Sequence, residues 1–326
     1  MEHQLLLAEG TPELFLDIVS NLEQFKKKLK RLSIIQAPPV LRARIDDKLT
    51  LNLTNWLHSS HSTTQQYYAS VADGQWGVHP LEDLAVYYVP TIEQKRLIHM
   101  PLLFHEFGHI LYIYHRPEMK ALIGEFQEEV IEYLNLGRQR NDSYNDELLS
   151  LRQTIANTWY RWMIELYCDA VGFTIGGESY LLTFALYLRH FTESDFHLNQ
   201  SRLTLRSHPL SWLRIQVLTL RAKDNGFEET AEQVLSQWQS IANALNIVED
   251  YYGYYDHALD DVLIELLDCM VTEVSPIEYD TFLDAPNCTT YNNPVKLLDV
   301  AWKKYLESPL DYPAWEAEAV QEYLYN

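Results

Sequence analysis

Leu102-Leu103-Phe104-His105-Glu106-Phe107-Gly108-His109-Ile110-Leu111 is the stretch on which the reading of this chain turns. Pro101 precedes it and Pro117 closes the segment that contains it. Proline suits the first turn of a helix, where its missing N–H is not needed, and it biases the residue before it away from helix. A helix over Leu102–His115 is therefore predicted, and the apolar residues around the histidines predict that it is buried. His105 and His109 stand four apart and share one helix face. Two imidazoles so placed suit one tetrahedral zinc bound through neutral nitrogens. Glu106 lies on the flank of that face, where it reaches a water at the metal without competing as a ligand. Zinc lowers the pKa of such a water to about 7, so a carboxylate can take its proton near neutrality. Gly108 leaves room beside the metal. The plainer reading, two hydrogen-bonded core histidines, has to explain a buried Glu beside them without a strong partner.

Two histidines leave such a site short of a protein ligand. Glu165-Leu166-Tyr167-Cys168-Asp169 offers one on a separate predicted helix, in an apolar neighbourhood that includes Trp159, Trp162, Met163 and Phe173. Glu165 and Asp169 are four apart and share a face. Glu165 is expected to ligate the metal, and Asp169 to accept a hydrogen bond from the non-ligating nitrogen of a ligand His. Glu125, Glu128, Glu129 and Glu132 compete for the ligand role, and they also read as one exposed acidic helix face. Cys168 is a conceivable soft ligand and otherwise a buried free thiol.

These blocks resemble the gluzincin peptidases of the HtpX and CAAX prenyl-protease family, including their soluble minigluzincin relatives. His105-Glu106-Phe107-Gly108-His109 is similar to the family's metal motif. Glu165-Leu166-Tyr167-Cys168-Asp169 is similar to its Glu-x-x-Ala-Asp, with Cys168 where Ala is usual. Ser207-His208-Pro209, followed by Arg214-Ile215, resembles its His-Pro-x-x-x-x-Arg-Ile segment. The resemblance covers roughly residues 84–220. It implies zinc held by His105, His109 and Glu165, with Glu106 as general base. It also implies that His208 or Arg214 meets the substrate carbonyl or the developing oxyanion. The alternatives are that His208-Pro209 simply opens a helix and that Arg214 forms a salt bridge, for instance to Asp169.

Outward from these blocks, the chain of 326 residues is ordinary in composition, 47% hydrophobic and 22% charged, with only 11 Gly and 13 Pro. Beyond the motif helix, helical patterns are expected over Pro12–Ile35, Val40–His58, Asn145–Ile175 (stopping at Gly176-Gly177), Glu178–His190, Pro209–Lys223, Glu228–Asn246, His257–Thr272, Pro294–Glu307 and Pro313–Leu324. Leu84–Val89 is the best strand, closed by Pro90. Asp73–Pro80, with two glycines, reads as a turn region. The expected fold class is mainly α: a zincin-like metallopeptidase core over 76–225 with a small β-sheet, a helical N-terminal region over 1–75 and a helical C-terminal region over 226–326.

The net charge of −21 argues against nucleic-acid partners. Lys26, Lys27, Lys28, Lys30 and Arg31 read as a solvated helix face, or else as a docking patch for an acidic partner. No apolar stretch reaches the roughly 18 residues of a spanning helix without charges, so no membrane insertion is expected. Met1–Gly10 lacks the basic start of a leader, and three cysteines (Cys168, Cys269, Cys288) form no pattern. Both point to a cytoplasmic protein with free thiols. The functional expectation is a zinc-dependent endopeptidase acting on a peptide or protein, laid along the Leu84–Val89 strand. The alternative is a non-catalytic or latent zinc-stabilised helical scaffold for a protein partner.

Overall fold

The computed structural model describes residues 12–33, 37–42, 44–81, 83–136, 146–189, 206–247, 249, 251–280 and 293–325. Met1–Gly10, Cys288 and the expected helix ends Ile35, Asn145 and His190 lie outside them. In chain order the elements are α1 (Pro12–Arg31), α2 (Ala37–Leu41), α3 (Lys48–Ser60), β1 (Tyr68–Asp73), β2 (Gly77–Pro80), β3 (Leu84–Val89), α4 (Leu102–Tyr114), α5 (Arg116–Leu136), α6 (Asp146–Leu188), α7 (Ser211–Asp224), α8 (Glu228–Ala244), α9 (Asp260–Val274), α10 (Pro294–Glu307) and α11 (Tyr312–Tyr325). The chain is mainly helical with one small sheet, as its composition leads one to expect.

The sheet has the order β1-β3-β2. β3 runs parallel to β1, with Tyr68 opposite Leu84 and Asp73 opposite Val89, and antiparallel to β2, with Gly77 opposite Tyr88 and Pro80 opposite Ala85. Leu84–Val89 is thus the central strand, and Ala85, Val86, Tyr87 and Val89 are fully buried, as suits a strand covered on both faces. Both its edges are hydrogen-bonded, so the expected docking of a peptide along it is corrected: a central strand has no backbone groups left to pair. β2 forms an edge of the sheet and packs against α4.

α4 carries Leu102, Leu103, Phe104, Phe107, Ile110 and Leu111 into the core and lies chiefly against α6. The two helices touch at Gly108, where an added Cβ would stand 2.9 Å from the Cα of Cys168. Only glycine permits so close a crossing. The expected stop at Gly176-Gly177 is present as a break inside α6: Gly177 has non-helical angles, with a left-handed φ of 53° that favours glycine, and a second helical stretch runs on from it to Leu188. Within α6, Leu151–Leu188 is long and apolar enough to cross a membrane, but 72% of its most apolar window is buried inside the fold.

The expected Val40–His58 helix is split. Arg42 grips Asp47 with two hydrogen bonds (2.7 and 2.6 Å) where the chain bends between α2 and α3. α1 keeps Leu16, Val19, Phe25 and Leu29 exposed, and Lys26, Lys27, Lys28 and Lys30 are exposed as well. The buried apolar side chains from Leu49 to Val320 form a single cluster. Polar clasps tie the C-terminal helices to the entry of α4. Leu97 N–H donates to buried Glu316 Oε1 (2.6 Å), Trp302 Nε1–H donates to Thr183 Oγ1 (2.8 Å), and Thr183 Oγ1 donates to the Ile98 carbonyl (2.8 Å).

Candidate metal centre

α4 and α6 cross with their polar faces toward each other, and this crossing brings the motif residues together. His105 Nδ1–H donates to Asp169 Oδ1 at 2.9 Å, leaving His105 Nε2 pointing at Glu165 Oε2, 3.4 Å away. His109 Nε2 faces the other oxygen of the same carboxylate, Oε1, at 3.8 Å. The two imidazoles stand 5.0 Å apart at an interplanar angle of 87°. Glu165 therefore meets the same ring nitrogen of both histidines. Its Oε2 is buried and makes no hydrogen bond, although His208 Nε2 lies 3.3 Å and Arg214 Nη2 3.6 Å from it.

Asp169 is saturated. Arg214 donates to it twice, Nε to Oδ2 at 2.8 Å and Nη2 to Oδ1 at 2.7 Å, and Tyr180 O–H donates at 3.2 Å. The salt bridge that was one of two readings of Arg214 is formed, and the guanidinium also lies 4.7 Å from the centre of the Phe184 ring. His208 precedes α7, which begins at Ser211 rather than Pro209. Its Nδ1 is paired with Ser207 Oγ at 2.8 Å. Glu106 is buried on the wall of the same cleft. Glu125, Glu128, Glu129 and Glu132 stand exposed on α5, as the acidic-face reading has it.

A second set of donors exists. His105, His109 and Cys168 each bring a nitrogen or sulfur within 4.8 Å of one another. Cys168 is buried, and its Sγ lies 3.3 Å from Nδ1 of His109, the nitrogen opposite to the one that faces Glu165. Glu165 instead faces Nε2 of both rings through different oxygens, while Asp169 and Cys168 engage the two Nδ1 atoms.

The electrostatics follow from burial beside fixed charges. Burial opposes the charge on Glu165, yet His105 and Arg214 outweigh it and hold this carboxyl far below its ordinary range. Asp169 is lowered too, against its burial, by Arg214 and His105. Burial disfavours the His105 cation, but Asp169 and Glu165 prevail and raise it to about 10. Burial and the neighbouring His105 push His109 down to about 4. Burial raises Glu106 to about 7, helped by the charge of Glu165. Burial likewise pushes the Cys168 thiol well up.

The cleft in front of these residues has a volume of 280 Å³ and is walled by Trp76, Leu102, Phe184, Tyr187 and Arg206. Of these, Trp76, Phe184, Tyr187 and Arg206 carry no motif. Their neighbours in sequence read as turn or core, so only the fold assigns them to the cleft. The chain matches no protein-family model, no curated protein and no solved structure.

Proposed function

We propose that this chain is a zinc-dependent peptidase whose metal is held by His105, His109 and Glu165. The observation that carries the reading is a buried carboxylate whose two oxygens face two imidazoles, the unbonded Oε2 toward Nε2 of His105 and Oε1 toward Nε2 of His109, while both Nδ1 atoms are engaged from behind. A buried carboxylate oxygen without a hydrogen bond is costly, and a cation shared with the two nitrogens satisfies all three donors. One carboxylate and two imidazoles are also a donor set that suits zinc in a catalytic site, with a position left open. Zinc bound there supplies Lewis-acid polarisation of a carbonyl and acidifies water.

The chain's own residues do the rest. Glu106, poised near neutrality, takes the proton of the attacking water and passes it to the leaving amine. Asp169 orients His105 through its Nδ1, and Arg214, with His105, keeps Glu165 ionised. His208 is half-exposed beside the carboxylate and is the side chain free to turn toward the oxyanion, since Arg214 is committed to Asp169. An extended peptide pairs with the outer edge of β2, next to the cleft, rather than with β3.

The test is cleavage of a mixed peptide library by purified protein with stoichiometric zinc. Wild type should cleave, and Glu106→Gln should retain zinc while losing about 10²–10⁴-fold in kcat. Equal rates for the two would refute the role of Glu106. Zinc bound without any cleavage would favour a metal-stabilised scaffold.

A further inference from the structure

We infer that Cys168 is a positioning residue for His109: its sulfur accepts the Nδ1–H of that imidazole and so leaves Nε2 directed at Glu165. The inference rests on the zinc-site reading and extends it to a residue that reading leaves without a task.

Three observations carry it. First, the Sγ–Nδ1 separation of 3.3 Å is within hydrogen-bond range for sulfur. Among the described residues, no other side chain is hydrogen-bonded to His109. Second, the two histidines are held in the same way. Each has a side chain from α6 on Nδ1, Asp169 for His105 and Cys168 for His109, and each presents Nε2 to Glu165. An imidazole held at one nitrogen has its tautomer and ring orientation fixed at the other. Third, the approach that makes the contact is built into the backbone. A Cβ on Gly108 would stand 2.9 Å from Cys168 Cα and 3.3 Å from its Sγ, so the glycine that adjoins His109 is what lets the thiol reach it.

The asymmetry between the two supports also has a chemical reason. Glu106, Glu165 and Asp169 already place three carboxyl groups in one buried site, with Arg214 the buried guanidinium beside them. A fourth carboxylate behind His109 would add uncompensated charge, whereas a thiol accepts the hydrogen bond without it. Ligation by Cys168 itself is the competing arrangement. It would have to recruit Nδ1 of His109, because that is the atom Sγ faces.

Cobalt separates the two. Wild type with one equivalent of Co(II) should show visible d–d bands and no near-ultraviolet sulfur-to-cobalt band. Cys168→Ala should bind zinc about 10–100-fold more weakly in chelator competition, and Cys168→Ser should recover part of that loss. In the metal-free protein, the ring-nitrogen shifts of His109 should report a single Nδ1–H form in wild type and mixed tautomers in Cys168→Ala. A sulfur-to-cobalt band, or wild-type zinc affinity in Cys168→Ala alongside normal cobalt uptake, would overturn the inference while the zinc site stands. Absence of cobalt uptake by wild type would bring down the zinc site and this inference together.

Discussion

Replacing Gly108 by alanine sets two opposed effects against each other, and the structure decides which wins. Alanine favours a helix interior over glycine by about 1 kcal/mol, so on local grounds Gly108→Ala should stabilise α4. Its Cβ, however, would lie 2.9 Å from the Cα of Cys168 and 3.2 Å from the Cβ. Carbon atoms in contact prefer about 3.5–4.0 Å, so α4 and α6 must part by roughly 0.6 Å at least at this point. The obstacle is backbone, which cannot swing aside as a side chain would. Overpacking of this kind costs about 1–3 kcal/mol, for a net destabilisation of about 0–2 kcal/mol. In a chain of 326 residues unfolding as one unit, 1 kcal/mol corresponds to about 1.5 °C in Tm, so the thermal shift is small.

The larger consequence falls on the metal centre. The contacts that orient both histidines cross the same gap, His105 to Asp169 at 2.9 Å and His109 to Cys168 at 3.3 Å. Opening the gap by roughly 0.6 Å takes the first of these to the limit of hydrogen bonding. Zinc affinity should fall at least about 10-fold, the scale seen when such supports are lost. Urea denaturation in chelator and zinc competition read the two effects separately. A variant about 1 kcal/mol more stable than wild type, with undiminished zinc affinity, would refute the close crossing and the reasoning built on it.

Asp169→Asn should cost about 3 kcal/mol in urea unfolding, because it leaves the buried Arg214 without its principal counter-charge. It should also weaken zinc about 10–100-fold, and unchanged affinity would show that Asp169 does not orient His105. A pH dependence arises behind the motif helix, where His58 and His61 pack against Phe107. His58 is pushed down to about 4, by burial first and by His61, and burial lowers His61 as well. Both are depressed below the unfolded value of 6.5. Their contribution is therefore full above pH 6.5, where neither state holds the proton, and is lost as pH falls through about 4. For His58 this amounts to about 3 kcal/mol. The urea midpoint of His58→Gln should fall less steeply than that of wild type between pH 6.5 and 4.5. Parallel profiles would exclude the assignment.

What could be read from the sequence divides by how local the signal is. The α4 motif was legible because its spacing, flanking prolines and apolar context all lie within seventeen residues. Glu165 and Asp169 were legible because two acids one turn apart in a run of Trp, Met and Phe need a cation or a hydrogen-bond donor to be buried there. Of the sheet, only β3 stood out. Tyr68–Asp73 carries a single β-branched residue, and Gly77–Pro80 is bracketed by the residues that signal turns, so β1 and β2 take their conformation from pairing with β3. Glycine at 176 and 177 reads as a helix end, and helical geometry does break at Gly177, with Tyr180 and Phe104 packed close around Gly176 where the next helical stretch begins. The approach of His208 to Glu165 depends on how α7 lies against α6, which no residue spacing encodes. Cys168 read correctly as a buried thiol, but its partner on α4 became visible only with the crossing.

The clasps from Glu316 and Trp302 bear on how the protein could be dissected. A version ending after residue 225 would keep every residue assigned to the metal centre. It would nonetheless strip the Leu97 amide of its acceptor and bare the flank of Thr183, and both lie on the segments that deliver α4 and α6 to their meeting point. The candidate site is in this sense a keystone whose arch includes the C-terminal helices. Shortening the chain from that end would loosen the geometry of residues it never touches.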